Sequence, residues 1–577
     1  MEAMEIKKSI YTVLALLLFG TAMAQEETGN GTTITGTGSR PIEKAYRIAI
    51  SPKIIDTNIN TNVVDYPLLN LKHETDTEVG LINPAAVNIK DVLNPLYNTY
   101  VKIGLGTELM PLGEIYYDSD RSRRLMYGAH VKHLSSFGNI SGYAPAQFDR
   151  TGVNLYGGLN ERRYSLRGDM HYRNQGLHYY AIPIDTLVRD SISQRYSDFG
   201  MSGSFSSHIK DSAKLNYTIG MAYNNFLSKK PSVAELSDWR ARENFFGINT
   251  NWLYRHKAET YNLDFDILYN GYKYGVVGDT NAFALDSGLI NNNTIVMLSP
   301  NVVTRLQNDR FKGKFGAKIA FDANNGVKAR IYPDLELKYS MFNDIFIPYV
   351  GLTGGLEQTT FKSLTRENEF IIPNLELRNE STAIDFFFGI KGSLSKRIGF
   401  NAGASFSNVR NAALFVTDTT YSIGNAFRPI YDTMNVTTIE GSLSYQQSEK
   451  LKIDAIGRFN SYSLLNNSYA WNLPQLQVIL RGSYNLYDKF LINLDLDLEG
   501  GRKGLVYSDI LGATLENGQY VVDLGFIADA NLGVEYRYNN RISAFLQFNN
   551  LAAQQYQRWV EAPVQQFQVM GGLTFKF

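Results

Sequence analysis

The sequence predicts an all-β protein: a transmembrane antiparallel β-barrel of about 22 strands (range about 18–22), with short turns at one rim and long loops at the other. Three observations carry this. Segments of about ten residues alternate apolar and polar side chains from Tyr97 to the end. Tight and long connections alternate between them. The chain closes on an aromatic strand ending at Phe577.

Composition removes the competing classes. The 577 residues hold 56 Lys+Arg against 56 Asp+Glu and no cysteine. Disulfides, thiolate metal sites, a Cys nucleophile and an acylated lipoprotein cysteine are therefore excluded. Balanced charge argues against a nucleic-acid partner held by a basic surface. Tyr 37, Phe 32 and Gly 48 with only 16 Pro suit β-structure rather than disorder. No stretch after the leader approaches the roughly 18 apolar residues of a membrane helix.

At the N-terminus, Lys7 and Lys8 precede an apolar run from Ile10 to Phe19, then Gly20, Thr21, Ala22, Met23 and Ala24. Ala22-x-Ala24 is an A-x-A cleavage pattern. Residues 1–24 read as a secretory signal peptide cleaved after Ala24, too short for a spanning anchor. Residues 25–96 form a second zone. Glu26–Arg40 is Gly/Thr-rich, and short apolar runs follow between Asn, Asp and Pro. This zone reads as a periplasmic arm or small N-terminal segment. Residues 97–577 are the barrel.

Three strands show the pattern most clearly. In Lys489–Glu499, Phe490, Ile492, Leu494, Leu496 and Leu498 oppose Asn493, Asp495, Asp497 and Glu499. In Val327–Ser340, Ala329, Ile331, Pro333, Leu335 and Leu337 oppose Lys328, Arg330, Asp334, Glu336 and Lys338. In Tyr261–Asn270, Leu263, Phe265 and Ile267 oppose Asn262, Asp264 and Asp266. Side chains at i and i+2 share a face, so each strand has one lipid-type side and one water-type side.

A soluble sandwich alternates too, but has no reason to sort its loops by length. Here tight polar turns fall at Asp120–Arg124, Asn160–Arg163, Lys210–Ser212, Arg255–Ala258, Asn308–Arg310, Asn343–Asp344, Ser395–Arg397, Ser448–Lys450, Asp488–Lys489 and Asn539–Arg541. Long connections between them include Phe137–Arg150, Ile182–Gln194, Phe361–Thr382, Ala413–Val436, Asn466–Pro474, Gly500–Tyr520 and Ala552–Pro563. Segments Ile371–Leu377 and Leu505–Leu515 are expected to carry additional β-structure. Short turns face the periplasm and long loops the exterior in outer-membrane barrels. Closure removes strand edges that hydrocarbon does not tolerate.

In the last strand, Phe567, Val569, Leu573, Phe575 and Phe577 oppose Gln566, Gln568, Thr574 and Lys576. Such an ending resembles the signal by which outer-membrane proteins engage the barrel-assembly machinery, which makes that machinery an expected partner through Phe577. Outer-membrane lipid is another, and periplasmic or outer-membrane proteins are possible further partners.

Strand number, loop asymmetry, terminal aromatic and the Asn/Tyr-rich entry Asn94–Gly106 (NPLYNTYVKIGLG) resemble the barrel half of the TonB-dependent receptor family. The style is similar to plug-lacking members of the Bacteroidota, over residues 97–577. The resemblance implies an outer-membrane protein of transport or channel type. Such receptors also carry a plug and a short box for the energising protein. Residues 25–96 show neither pattern. A lumen this wide is expected to be closed by the arm, by infolded long loops or by a partner, and the expected gate is the arm or a partner. The alternative is a non-conducting barrel serving as scaffold of an outer-membrane complex.

No constellation reads as a catalytic, cofactor or metal site, and the expectation is no enzyme. His130 and His133 lie three apart on a strand and face opposite sides, whereas zinc would want i and i+2. His171 and His178 are expected to flank the outer end of one strand. Asp495, Asp497 and Glu499 read as lumen acids facing bases such as Arg481 and Lys328, rather than as a cation site. Trp471 and the Tyr556–Trp559 segment read as an interfacial girdle, with ligand contact as the alternative.

Overall fold

The alternating segments pair into one meander. The computed structural model describes residues 96–577 except 210–214, 229–238, 278–284, 287–289, 308–309, 325 and 508–512. The expected leader ending at Ala24 and all but the last residue of the expected arm lie outside the described residues.

The barrel strands, in order, begin with β1 (Thr99–Gly106), β2 (Met110–Asp118), β3 (Leu125–Ser136), β4 (Phe148–Asn160), β5 (Tyr164–His178), β6 (Ser193–Ser207) and β7 (Asn216–Ser228). Next come β8 (Trp239–His256), β9 (Glu259–Val277), β10 (Ile290–Leu306), β11 (Phe311–Asp322), β12 (Lys328–Tyr339), β13 (Ile347–Glu357) and β14 (Glu380–Ser395). The last are β15 (Ile398–Asp418), β16 (Ala426–Gln447), β17 (Leu451–Leu464), β18 (Leu476–Leu486), β19 (Phe490–Gly500), β20 (Ile527–Arg537), β21 (Ile542–Asn549) and β22 (Gln568–Lys576). Each is antiparallel to its neighbours, and β1 pairs with β22 from Tyr100↔Lys576 to Gly106↔Met570. That pairing closes a 22-strand barrel. Phe577 completes the seam: its N–H donates to Thr99 O at 2.9 Å, and Thr99 N–H donates to Phe577 O at 3.2 Å. Among the described residues, no helix is long and apolar enough to cross a membrane.

The outer wall is apolar. Ile103, Leu105, Ile115, Leu155, Leu166, Met170, Met201, Phe315 and Leu573 are all exposed there. On β9 the expected faces hold: Tyr261, Leu263 and Tyr269 are exposed on the outside, while Asn270 is buried within. Tyr164, Phe205, Tyr217 and Trp252 form a continuous stacked row near the short-turn end of β5–β8. Tyr172 and Tyr269 sit nearer the other rim, beside Asn174 and Asn292. From Tyr261 to Tyr269 the strand rises about 27 Å, or roughly 20 Å along the barrel axis at a tilt of about 40°. This approaches the ~25 Å apolar band between two aromatic girdles of outer-membrane barrels.

The predicted tight turns all fall on one rim, while the opposite rim carries the long connections and also two short ones, at 107–109 and 323–327. Tyr487 and Asp488 both take positive φ, 54° and 56°, the type I′ geometry that matches strand twist. Opposite, one long connection shrinks. The expected loop Ala413–Val436 is mostly strand, with β15 and β16 running past the wall to a short turn at 419–425. A bulge between Val409 and Ala412, with Asn411 at φ 57°, marks the bend. Beyond it Leu414, Phe415, Val416 and Phe427 are buried rather than lipid-facing. Loop 501–526 does carry the extra β-structure: Lys503–Val506, Thr514–Glu516 and Gln519–Asp523 form a small sheet, turning on Asn517-Gly518.

Candidate functional site

Inside the wall the lumen is charged and paired. Glu114 takes His130 at 2.9 Å with Lys132 at 3.9 Å. Lys314 meets Asp334 at 2.6 Å, and Arg458 meets Glu440 at 2.6 Å. Arg481 lies 3.6 Å from Asp495, and Gln477 donates to Glu499 at 3.3 Å. Of the acids of β19, Asp495 thus faces Arg481 as expected, whereas Asp497 stands opposite Asp529 on β20. Lys328 does not join them: it sits on β12 opposite Asp322. His130 and His133 do face opposite sides, toward Glu114 and Thr151. His171 is mid-strand on β5, 3.4 Å from Asp198, and only His178 ends the strand. Among the described residues no group of three His, Asp or Glu is arranged to hold a metal.

The principal feature is a cap over the long-loop mouth. Its centre is the connection between β13 and β14, residues 358–379, which folds inward as a strap. At its base Glu357 and Glu380 are ladder partners. Asn293 and Asn379 exchange side-chain hydrogen bonds at 2.6 and 2.9 Å, and Gln358 Nε2 donates to Asn293 O at 3.0 Å. The strap opens with α1 (Phe361–Glu367), whose capping box pairs Thr360 with Ser363 at 2.9 and 3.0 Å. Sequence reading assigned no helix here; Thr360-x-x-Ser363 was the available signal.

Buried Glu243 of β8 receives the first turn of α1: Phe361 N at 2.5 Å, Lys362 N at 3.4 Å, and Asn270 Nδ2 at 3.2 Å. Lys362 Nζ reaches Asp198 of β6 at 2.9 Å. Burial pulls the Lys362 ammonium below its ordinary pKa, while Asp198 opposes that shift. Phe361 is fully buried among Phe226, Tyr272 and Tyr196, with ring centroids 5.4, 5.6 and 6.2 Å away.

Beyond α1, tyrosine hydroxyls hold the strap by its backbone. Tyr179 donates to Ile371 O at 2.8 Å, Tyr196 to Glu369 O at 3.2 Å, and Tyr431 to Glu376 O at 2.9 Å. Tyr272 donates to Pro373 O and accepts Leu375 N at 3.0 Å. Burial pushes the Tyr179 phenol well above its ordinary pKa, so it stays a neutral donor. Ile371 forms a bridge to Phe427 on the bent hairpin, the β-structure expected at Ile371–Leu377 reduced to one pair.

The cap crosses the whole opening. Asn425, between β15 and β16, donates to Tyr179 O, between β5 and β6, at 2.9 Å. Those connections are ten strands apart in a ring of 22, nearly a diameter. At about 4.8 Å per strand and about 40° tilt such a ring is roughly 40 Å across. One buried core joins Leu177, Tyr179, Phe361, Phe370, Ile371, Phe415, Phe427 and Val560. Trp559 stacks edge-on against Phe415 at 5.3 Å, and Trp471 is 1% exposed beneath the neighbouring loops. Neither belongs to an interfacial girdle. The girdle expectation fails because these loops bend over the lumen, where aromatic surface finds a protein core instead of lipid.

Solved structures share this wall. The ferric-catecholate import receptor Fiu from E. coli K12 superposes with a TM-score of 0.59 at 10% identity, covering 83% of this chain and 82% of that one. The pyoverdine outer membrane receptor FpvA from Pseudomonas aeruginosa PAO1 gives 0.63 at 10% identity, covering 84% and 79%. The FrpB iron transporter from Neisseria meningitidis gives 0.63 at 9% identity, covering 84% and 82%. The fold is that of a TonB-dependent-receptor barrel. No family model and no curated protein matches the sequence itself. The likeness lies in closed 22-strand architecture, which β-alternation specifies with few identical residues.

Proposed function

We propose that this chain is a transport-type barrel of the outer membrane whose outer mouth is closed by its own strap, residues 358–379. The carrying observation is the cap bridging the mouth from Tyr179 to Asn425 above a polar lumen. A ring of this width needs closure, because side chains alone fill only barrels near eight strands. Opening is then driven by the arm at 25–96 or by a partner. A leader ending at Ala24 and a terminal strand ending at Phe577 would deliver the chain to the outer membrane and to the barrel-assembly machinery. The proposal includes no enzymatic step.

The base geometry makes the test direct. Glu357 and Glu380 face each other in a ladder, so a short Gly/Ser turn can replace residues 360–378 without moving the wall. In planar bilayers the intact chain is expected to be silent and the excised chain to conduct. Silence in both would overturn the transport reading. It would favour the second reading, a non-conducting scaffold, which the continuous buried core of the cap also fits. Stoichiometric partners recovered from native membranes would then support the scaffold.

A further inference from the structure

The strap is anchored mostly by buried groups, but its ion pair to the wall at Glu369 is reached by solvent. Glu369, midway along it, is held by Arg150 Nη2 at 2.9 and 3.3 Å and by Gln175. The side chains of Arg150 and Glu369 are 51% and 30% exposed. Its neighbours Asn368, Phe370 and Ile371 are buried. An exposed ion pair contributes little and exchanges readily with a competing ion.

Beside this pair lies an open cavity of about 290 Å³. Its walls include Arg150, Glu369, Gln147, Gln568, Asp529 and Tyr180. Asn531, Asn549 and Asn550 add polar side chains to the same walls. Phe148 supports the Arg150 guanidinium from below, 5.2 Å from the ring centroid. On the far wall Asp529 accepts from Tyr556 at 3.0 Å, which disfavours a second negative charge on any occupant. Arginine beside a glutamine amide is chemistry for a carboxylate.

We propose that this cavity binds a small monocarboxylate bearing hydroxyl or amide donors, which takes the place of Glu369 on Arg150 and Gln175 and frees the middle of the strap. Glu369 is then a tethered occupant of the site. The ligand's carboxylate meets Arg150, and its hydroxyl or amide donors meet the polar side chains of the opposite wall, Asp529 and Asn531 among them. Release of the strap rests on reading that segment as the outer gate; binding itself does not.

The test uses the full chain in detergent with gluconate as probe and glucitol as its uncharged counterpart, at matched ionic strength. Titration calorimetry is expected to show gluconate binding and no glucitol binding. Glu369→Gln vacates the arginine and is expected to bind gluconate at least fivefold more tightly. Arg150→Ala is expected to lose binding. Saturating gluconate is expected to raise tryptic cleavage after Lys362 and Arg366 about two- to fivefold, the range that loss of one exposed ion pair allows. Equal affinities for gluconate and glucitol, or unchanged gluconate affinity in Glu369→Gln, would overturn the site. Gluconate binding that leaves cleavage unchanged would overturn the coupling to the strap. Gluconate binding alongside a silent strap-excised barrel would overturn the transport reading and leave the site standing.

Discussion

Replacing Phe361 by Ala is expected to loosen the strap while sparing the wall. Phe361 is fully buried and touches rings on β6, β7 and β9. Truncating such a residue costs about 3–5 kcal/mol. The strap buries Leu364, Phe370, Ile371, Ile372, Leu375 and Leu377 as well. Opening therefore exposes seven large apolar side chains to water, which holds the strap against the barrel. In Phe361→Ala the open population rises by roughly two to three and a half powers of ten. Trypsin reads this directly, because cleavage of a transiently open segment follows its open population when reclosing is fast. The strap offers Lys362, Arg366 and Arg378. Cleavage within it should rise at least a hundredfold, while the barrel keeps its melting temperature. An increase below tenfold, or cleavage that appears only as the whole barrel melts, would refute the reasoning.

Three further outcomes follow from the same contacts. Glu243→Ala leaves the Phe361 and Lys362 amides without their acceptor, so hydrogen exchange over 360–366 should accelerate by an amount matching about 2–4 kcal/mol, with Glu243→Gln restoring part of the protection. Ile371→Cys with Phe427→Cys places two thiols at ladder partners, within disulfide reach, in a chain with no other cysteine; oxidation should suppress strap proteolysis and reduction restore it. Gly572→Val drives a Cβ into Ile103 O at the closing seam, so the fraction of folded, heat-modifiable barrel on gels should fall sharply, whereas Gly441→Ala, where a Cβ meets nothing within 4 Å, should assemble normally.

The wall was legible because its information is local. Along Phe490–Gly500 every second side chain is apolar, and period two by itself assigns one row to lipid and one to water. The tight turns of one rim were legible for the same reason, since each is set by a few residues such as Tyr487-Asp488. The strap was not legible. Residues 358–379 have neither the alternation of a strand nor a helix longer than α1, and read only as a long connection with some β-structure at Ile371–Leu377. Trp471 and Trp559 read as girdle or ligand contact.

By itself, then, the sequence determined the closed sheet, its strand number, which face meets lipid, and the rim that carries the long loops. Tertiary structure alone decided what those loops do. Whether Ile371 meets Phe427, and Tyr179 meets Asn425, depends on closure bringing β5 and β15 to opposite sides of one opening. Contacts between residues 246 positions apart leave no periodic trace in the chain. A ring of 22 strands leaves a wide opening. Much of it is spanned by segments that the linear pattern shows only as interruptions between strands.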